Sequence, residues 1–109
     1  MKISKKDVQL SDFFERAAKE INTPKKMKEY IKGVNKAFDL TKDPDIILTA
    51  LKIIAIAKGN ISQLARESKV ERRSIYNMFQ KGSNPTLKNL VAVSQKLGIN
   101  LHLDFAPSY

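Results

Sequence analysis

Apolar side chains recur at helical spacing along most of this chain, and Pro, Gly and Asn divide the pattern into pieces of helical length. The first piece starts with Asp12 and Glu15, at the spacing of a capping box, and ends at Ile21. It predicts a short amphipathic helix, preceded by a mobile basic arm over residues 1–10.

Two further pieces each begin with a polar residue followed by proline, a combination typical of a helix start. Residues 24–38 carry an apolar stripe with lysines on the other sides, which predicts a second amphipathic helix. Residues 44–57 are apolar on nearly all sides, so they predict a helix in the middle of the core. We therefore divide the chain into residues 1–42, with the arm and two amphipathic helices, and residues 43–109.

Residues 61–80 predict two short helices joined by a tight turn, over about 61–68 and 72–80. Their inward positions share apolar or small side chains and are Leu64, Ala65, Ile75, Met78 and Phe79, with Val70 below the turn. This is the spacing of a helix-turn-helix, in which the second helix protrudes and its outer side chains reach base edges in the major groove.

The outward side of the second short helix carries Arg72, Arg73, Tyr76 and Asn77. Arginine can donate two hydrogen bonds to guanine, and asparagine can pair with adenine. A tyrosine can pack on a thymine methyl group or bond a phosphate. We therefore predict that these four side chains contact DNA bases, against the alternative of a solvated helix face with structural ion pairs.

Positive charge surrounds this helix and dominates the chain. Between residues 66 and 88 there are six positive side chains and two negative ones, and Arg66, Lys69, Lys81 and Lys88 are expected to contact phosphates. The whole chain of 109 residues has a formal net charge of +9, from 20 Lys+Arg and 11 Asp+Glu. This excess favours a polyanionic partner.

Other chemistry is sparsely represented. Cysteine is absent and His102 is the single histidine, on the polar side of the tail, which leaves no thiolate or paired metal-ligand spacing. The chain also lacks a phosphate-binding glycine loop and a recognisable nucleophile turn. We expect no enzyme activity, cofactor or metal. Since no signal peptide or apolar segment of spanning length is present, we also expect a cytoplasmic location without membrane insertion.

The C-terminal part predicts a last helix over residues 87–97, stopped by Gly98, and then a lone strand. One face of that strand carries the apolar side chains Ile99, Leu101, Leu103 and Phe105. Because a lone strand leaves its backbone groups unpaired, we expect it to pair with a second copy and form a homodimer. The operator is then expected to be an inverted repeat.

Residues 43–101 resemble the phage-repressor-type (XRE/Cro) helix-turn-helix proteins, and among them the addiction-module antidote proteins related to HigA-type antitoxins. The resemblance implies an all-α, phage-repressor-like DNA-binding domain with two extra N-terminal helices and a short C-terminal dimerisation strand. It places Lys69 where the family's turn usually has a glycine with positive φ. Base-contacting positions fall on Arg72, Arg73 and Asn77, and backbone-contacting ones near Ser62, Lys81, Ser83 and Asn84.

The same resemblance implies a function as the antitoxin and autoregulatory repressor of a type II toxin-antitoxin operon, with a small RelE/HigB-like toxin as partner. A stand-alone repressor is the alternative. The two N-terminal helices either bind the partner or enlarge the core. Residues 1–42 carry eleven positive and six negative side chains, so a basic toxin requires that carboxylates such as Asp12, Glu15, Glu20 and Glu29 gather on one face.

Overall fold

The fold consists of helices and the segments that join them. A computed structural model describes residues 5–59, 61–80, 82–102 and 104–108, with side chains from Phe13 onward. These residues form six helices: α1 (Lys5–Glu20), α2 (Pro24–Thr41), α3 (Pro44–Lys58), α4 (Ile61–Ser68), α5 (Arg72–Met78) and α6 (Leu87–Lys96). The all-helical class predicted for most of the chain is therefore confirmed over the described residues.

Helices α2 and α3 start where the polar residue and proline predict. The hydroxyl of Thr23 accepts a hydrogen bond from the backbone N–H of Lys26 at 3.2 Å. At the start of α3, the carboxylate of Asp43 accepts one from the N–H of Asp45 at 3.0 Å. Each side chain satisfies one backbone donor that the first helical turn leaves unpaired, and the proline that follows needs no such partner.

The start of α1 differs from the prediction. The helix begins at Lys5, so the expected arm is wrong for residues 5–10, which are helical, while residues 1–4 lie outside the described chain. The first proline or glycine is Pro24, and nothing before it stops a helix from extending towards the N-terminus. Asp12 therefore lies inside α1 rather than at its cap.

Helix α3 forms the centre of the core, as its apolar composition predicts. Its buried residues are Leu48, Ala50, Leu51, Ile53, Ile54 and Ala55. Helices α1 and α2 both pack on α3, while α4 packs on α5 and α6. One cluster of buried apolar side chains runs from Ala18 of α1, and from Ile21 just after it, through α3 to Leu97. The two N-terminal helices thus enlarge the core.

The described part of the tail contains no strand, and the prediction of one over residues 99–105 is wrong there. Ile99 belongs instead to the end of α6, where Gly98 has φ 76° and the N–H of Ile99 donates to the carbonyl of Ser94 at 2.9 Å. Leu101 is half-buried, Phe105 is 93% exposed, and Leu103 lies outside the described residues. Alternation alone cannot make a strand, since a ladder requires a second extended segment.

Candidate nucleic-acid interface

The short helices α4 and α5 are held by side chains that point inward as predicted. Leu64 of α4 is buried and Ala65 is half-buried. Ile75 and Met78 of α5 are fully buried, at 0% and 2% exposure. Because the inward side chains of so short a helix are all committed to the core, its other side chains are held at the surface in a fixed orientation.

The turn between α4 and α5 has a left-handed residue, as the resemblance implied. Lys69 has φ 61°, a conformation that costs about 1–2 kcal/mol for a side chain with a Cβ atom. The next residue, Val70, is buried, and its N–H donates to the hydroxyl of Ser68 at 3.3 Å. The turn is therefore fixed by one apolar anchor and one local hydrogen bond.

Arg72 and Tyr76 form a pair on the outer side of α5. A terminal guanidinium nitrogen (Nη2) of Arg72 donates to the Tyr76 hydroxyl at 3.3 Å, and the guanidinium carbon lies 5.5 Å from the ring centroid. The four-residue spacing puts both side chains on one face, and the geometry is that of a cation–π contact. Both side chains are exposed. The pair restrains an arginine that would otherwise move freely in solvent.

Arg73 and Asn77 also lie four residues apart and are both exposed. No hydrogen bond or ion pair within the described chain engages either side chain. Each presents a planar group with adjacent hydrogen-bonding atoms, the type of group that can form two bonds with a base edge. Together with the Arg72–Tyr76 pair, they bring the four predicted base-contacting residues onto one exposed surface.

The predicted phosphate contacts are distributed over neighbouring segments. Arg66 lies in the last turn of α4, Lys69 in the turn, Asn84 in the loop after α5, and Lys88 in the first turn of α6. All four are exposed. Lys81 lies outside the described residues. The described members of this group thus come from the segments immediately before and after α5 in sequence.

The two serines of the predicted phosphate-contacting group are placed differently. Ser83 is half-buried, and its hydroxyl donates to the carbonyl of Met78 at 2.6 Å, which closes the C-terminal end of α5. Its proton is unavailable to a phosphate while this bond stands. Ser62 is half-buried in the first turn of α4. A capping role for Ser83 was missed by the sequence pattern, although a serine just after a short helix is a signal for it.

A second feature is a groove lined by residues of α2, by the residue that caps α3 and by the first turns of α3. We call it the α2–α3 groove. Its lining includes Glu29, Asp43 and Asp45, whereas Glu15 and Glu20 do not line it. The sequence pattern did not reveal this groove, because two of its acidic residues were assigned only to the start of a helix. The groove depends on how α2 packs against α3.

The described residues offer neither a metal site nor a membrane-spanning helix. Within them, no three His, Asp or Glu side chains lie close enough together to hold a metal ion. His102 is exposed in the tail. None of the described helices combines the length and the apolar character needed to cross a membrane.

The chain matches one family of known proteins. No curated protein and no solved structure matches the chain. A family described as probable addiction module antidote protein matches residues 11–105, a range that covers α2 to α6, most of α1 and the start of the tail. An antidote is the component of such a module that counteracts a toxin, so membership implies a toxin partner. The chain therefore belongs to the family of probable addiction module antidote proteins.

Proposed function

We propose that α4 and α5 form a helix-turn-helix of the XRE/Cro type, as in HigA-like antitoxins, and that α5 enters the major groove of duplex DNA. One observation carries the proposal: Arg73 and Asn77 are exposed and unpaired within the described chain, on a helix whose inward side chains Ile75 and Met78 are fully buried. With the Arg72–Tyr76 pair, they can form the paired hydrogen bonds and apolar contacts that distinguish base pairs.

Phosphate contacts supply the part of the affinity that does not depend on sequence. The candidates with positive charge are Arg66, Lys69, Lys81 and Lys88, and the net charge of +9 raises the local concentration of any polyanion. Glu67 on α4 accepts a hydrogen bond from Gln63 at 2.9 Å, so this carboxylate is held along its own helix. We expect operator binding to weaken steeply with salt.

In this proposal the protein is the antitoxin of a type II toxin-antitoxin operon and represses that operon as a homodimer. Residues 43–109 bind an inverted-repeat operator, and residues 1–42 contribute to the contact with a small RelE/HigB-like toxin. Membership of the antidote family supports the toxin partner. The exposed Phe105 in the tail supports an apolar contact with a second copy.

A stand-alone repressor without a toxin is the second candidate. It is favoured by the excess of positive charge in residues 1–42, where eleven positive and six negative side chains would repel a basic toxin at long range. The two functions share the same DNA contacts, so only an experiment with the partner separates them. Co-expression with the product of the adjacent gene asks whether that product is toxic alone and is rescued by this chain.

The DNA-binding proposal is tested by fluorescence anisotropy with duplexes from upstream of the protein's own gene. Arg73→Ala is expected to weaken specific binding by about 1–3 kcal/mol and to relax the preference for the operator over unrelated duplex. Lys32→Ala removes the same charge from exposed α2 and should preserve the preference. If Arg73→Ala leaves both affinity and preference unchanged, α5 does not enter the groove.

A further inference from the structure

The α2–α3 groove combines an apolar floor with a rim of carboxylates. It has a volume of about 530 Å³. Val34, Ala37 and Ile46, all half-buried, form part of the floor, and Glu29, Asp43 and Asp45 provide the acidic groups. Although the chain has nearly twice as many cationic as anionic residues, the described residues that line the groove include no Lys or Arg.

The carboxylates of the groove have no cationic side chain as a partner within the described chain. No ion pair within the described chain involves any of the three. The lysine next to Asp43 is directed elsewhere, because the Lys42 ammonium lies 3.5 Å from Asp39 and 5.3 Å from the ring centroid of Phe38. One Asp43 oxygen caps α3, which leaves its second oxygen available. The groove is therefore a local negative site on a positive protein, and it favours a cation.

We propose that the α2–α3 groove is the docking site for a basic segment of the toxin, with its Lys and Arg side chains facing the carboxylates of Glu29, Asp43 and Asp45 and its apolar side chains on the floor. The inference rests on the proposed antitoxin function. Charge decides the occupant: duplex DNA is repelled by the three carboxylates, whereas a basic protein that the net charge of +9 repels at long range is attracted here at short range.

The groove and the candidate DNA surface lie on different elements. Residues of α2, Asp43 and the first turns of α3 line the groove, and no residue of α4 or α5 does. The DNA surface is carried by α5 and the segments around it. The toxin segment can thus occupy the groove without displacing the DNA contacts, as an antitoxin that also represses its operon requires.

Gly33 is a position at which a side chain can be added to the groove. It lies within α2 and lines the groove, and a Cβ atom added there would meet no heavy atom within 4 Å. Glycine inside a helix lowers stability relative to residues that favour helices. A larger side chain at this position would therefore fill the groove and stabilise α2 at the same time.

The first test neutralises the rim without changing its shape. In Glu29→Gln/Asp43→Asn/Asp45→Asn, the asparagine at position 43 still caps α3, since Asn and Asp are equivalent caps. The matched control Glu67→Gln/Glu71→Gln/Asp104→Asn changes the net charge equally at exposed positions outside the groove. Calorimetric titration uses the toxin encoded beside this chain as the probe. We expect the groove variant to bind roughly tenfold or more weakly with less salt dependence, and the control to bind as wild type.

The second test fills the groove with Gly33→Gln. We expect a higher Tm together with weaker toxin binding, a combination that loss of folding cannot produce. Operator binding should be retained in both groove variants, because the DNA surface is separate. Circular dichroism melting and DNA anisotropy on the same samples provide these two measurements.

The outcomes separate this inference from the antitoxin function on which it rests. A wild-type chain that does not bind the toxin overturns both. A wild-type chain that binds it, with groove variants that bind equally well, overturns the groove assignment alone. If the groove variants instead change the sedimentation of the chain by itself while toxin binding is kept, the groove holds a second copy and the proposal is overturned.

Discussion

The guanidinium of Arg72 donates a hydrogen bond to the hydroxyl of Tyr76, 3.3 Å away and one helical turn along α5. Since an arginine side chain loses up to about 2 kcal/mol of rotamer entropy when it is fixed, an arginine already restrained loses less on binding. Tyr76 is 45% exposed and can contact DNA itself. The pair therefore acts as one unit at the candidate interface.

This coupling predicts non-additive effects on operator binding. Arg72→Ala and Tyr76→Ala should each weaken binding, and the double variant should be less affected than their sum by about 0.5–1 kcal/mol. Tyr76→Phe keeps the ring and should lose less than Tyr76→Ala. Anisotropy titrations of the four members of the cycle measure the coupling energy. Additive losses would show that the two side chains act independently.

The left-handed turn residue predicts a stabilising substitution. Lys69→Gly should raise the free energy of unfolding by about 1 kcal/mol, because glycine adopts φ 61° without strain. Lys32→Gly, in the exposed middle of α2, should lower it by a similar amount. Urea denaturation gives both values. Lys69→Gly should also weaken DNA binding slightly, and a destabilised Lys69→Gly would mean that the side chain itself supports the turn.

Ser94 predicts a second stabilising change. Its hydroxyl is fully buried and has no hydrogen-bond partner within the described chain. Ser94→Ala removes this unsatisfied group and should raise the free energy of unfolding by about 1 kcal/mol. Thr86→Ala provides the opposite control, since Thr86 accepts a hydrogen bond from the N–H of Asn89 and caps α6. A loss of stability in Ser94→Ala would reveal a partner for the hydroxyl.

Tyr30 predicts a loss of stability in alkali. Burial raises the pKa of its phenol above the usual 10.0, so the unfolded chain loses this proton before the folded chain does. The contribution of Tyr30 to the unfolding free energy is therefore constant below about pH 10 and falls as the pH rises further. The difference between wild type and Tyr30→Phe isolates this term in urea titrations. A difference that does not change across this range would contradict it.

The comparison with Tyr30→Phe is necessary because Lys52 acts in the opposite sense. Burial lowers the pKa of its ammonium from 10.5. The folded chain therefore loses this proton first, and the Lys52 contribution to the unfolding free energy rises with pH in the same range. The ammonium also lies 4.0 Å from the ring centroid of Phe14, an attraction that favours the charged form. Both the wild type and the Tyr30→Phe variant contain Lys52, so its term cancels in the difference.

The tail predicts the oligomeric state. Deletion of residues 101–109 retains Ile99 and the end of α6, and removes the exposed Phe105. We expect the deleted chain to sediment as a monomer and to bind an inverted-repeat operator much more weakly than the full chain, since a dimer contacts two half-sites. The full chain provides the control for folding by circular dichroism. A deleted chain that still sediments as a dimer would place the dimer contact elsewhere.

Features set by nearby residues were predictable from the sequence. The caps at Thr23 and Asp43 depend on side chains within three residues, and the inward positions of α5 follow from helical spacing. The predicted start of α1 was wrong because no proline or glycine precedes the helix to mark where it begins. The predicted C-terminal strand was wrong because a β-ladder needs a second extended segment, which an alternating apolar pattern does not provide. The α2–α3 groove depends on the packing of two helices, which no local pattern encodes.

Helix α3 is apolar on nearly all sides and is covered by α1 and α2 as well as by the C-terminal helices. A fragment that began at Asp43 would expose the face on which α1 and α2 pack, and would aggregate rather than bind DNA as a smaller domain. Proteolysis within residues 13–41 would therefore abolish DNA binding together with any function of the N-terminal helices. Exchange of segments between relatives would have to move α1, α2 and α3 as a single block.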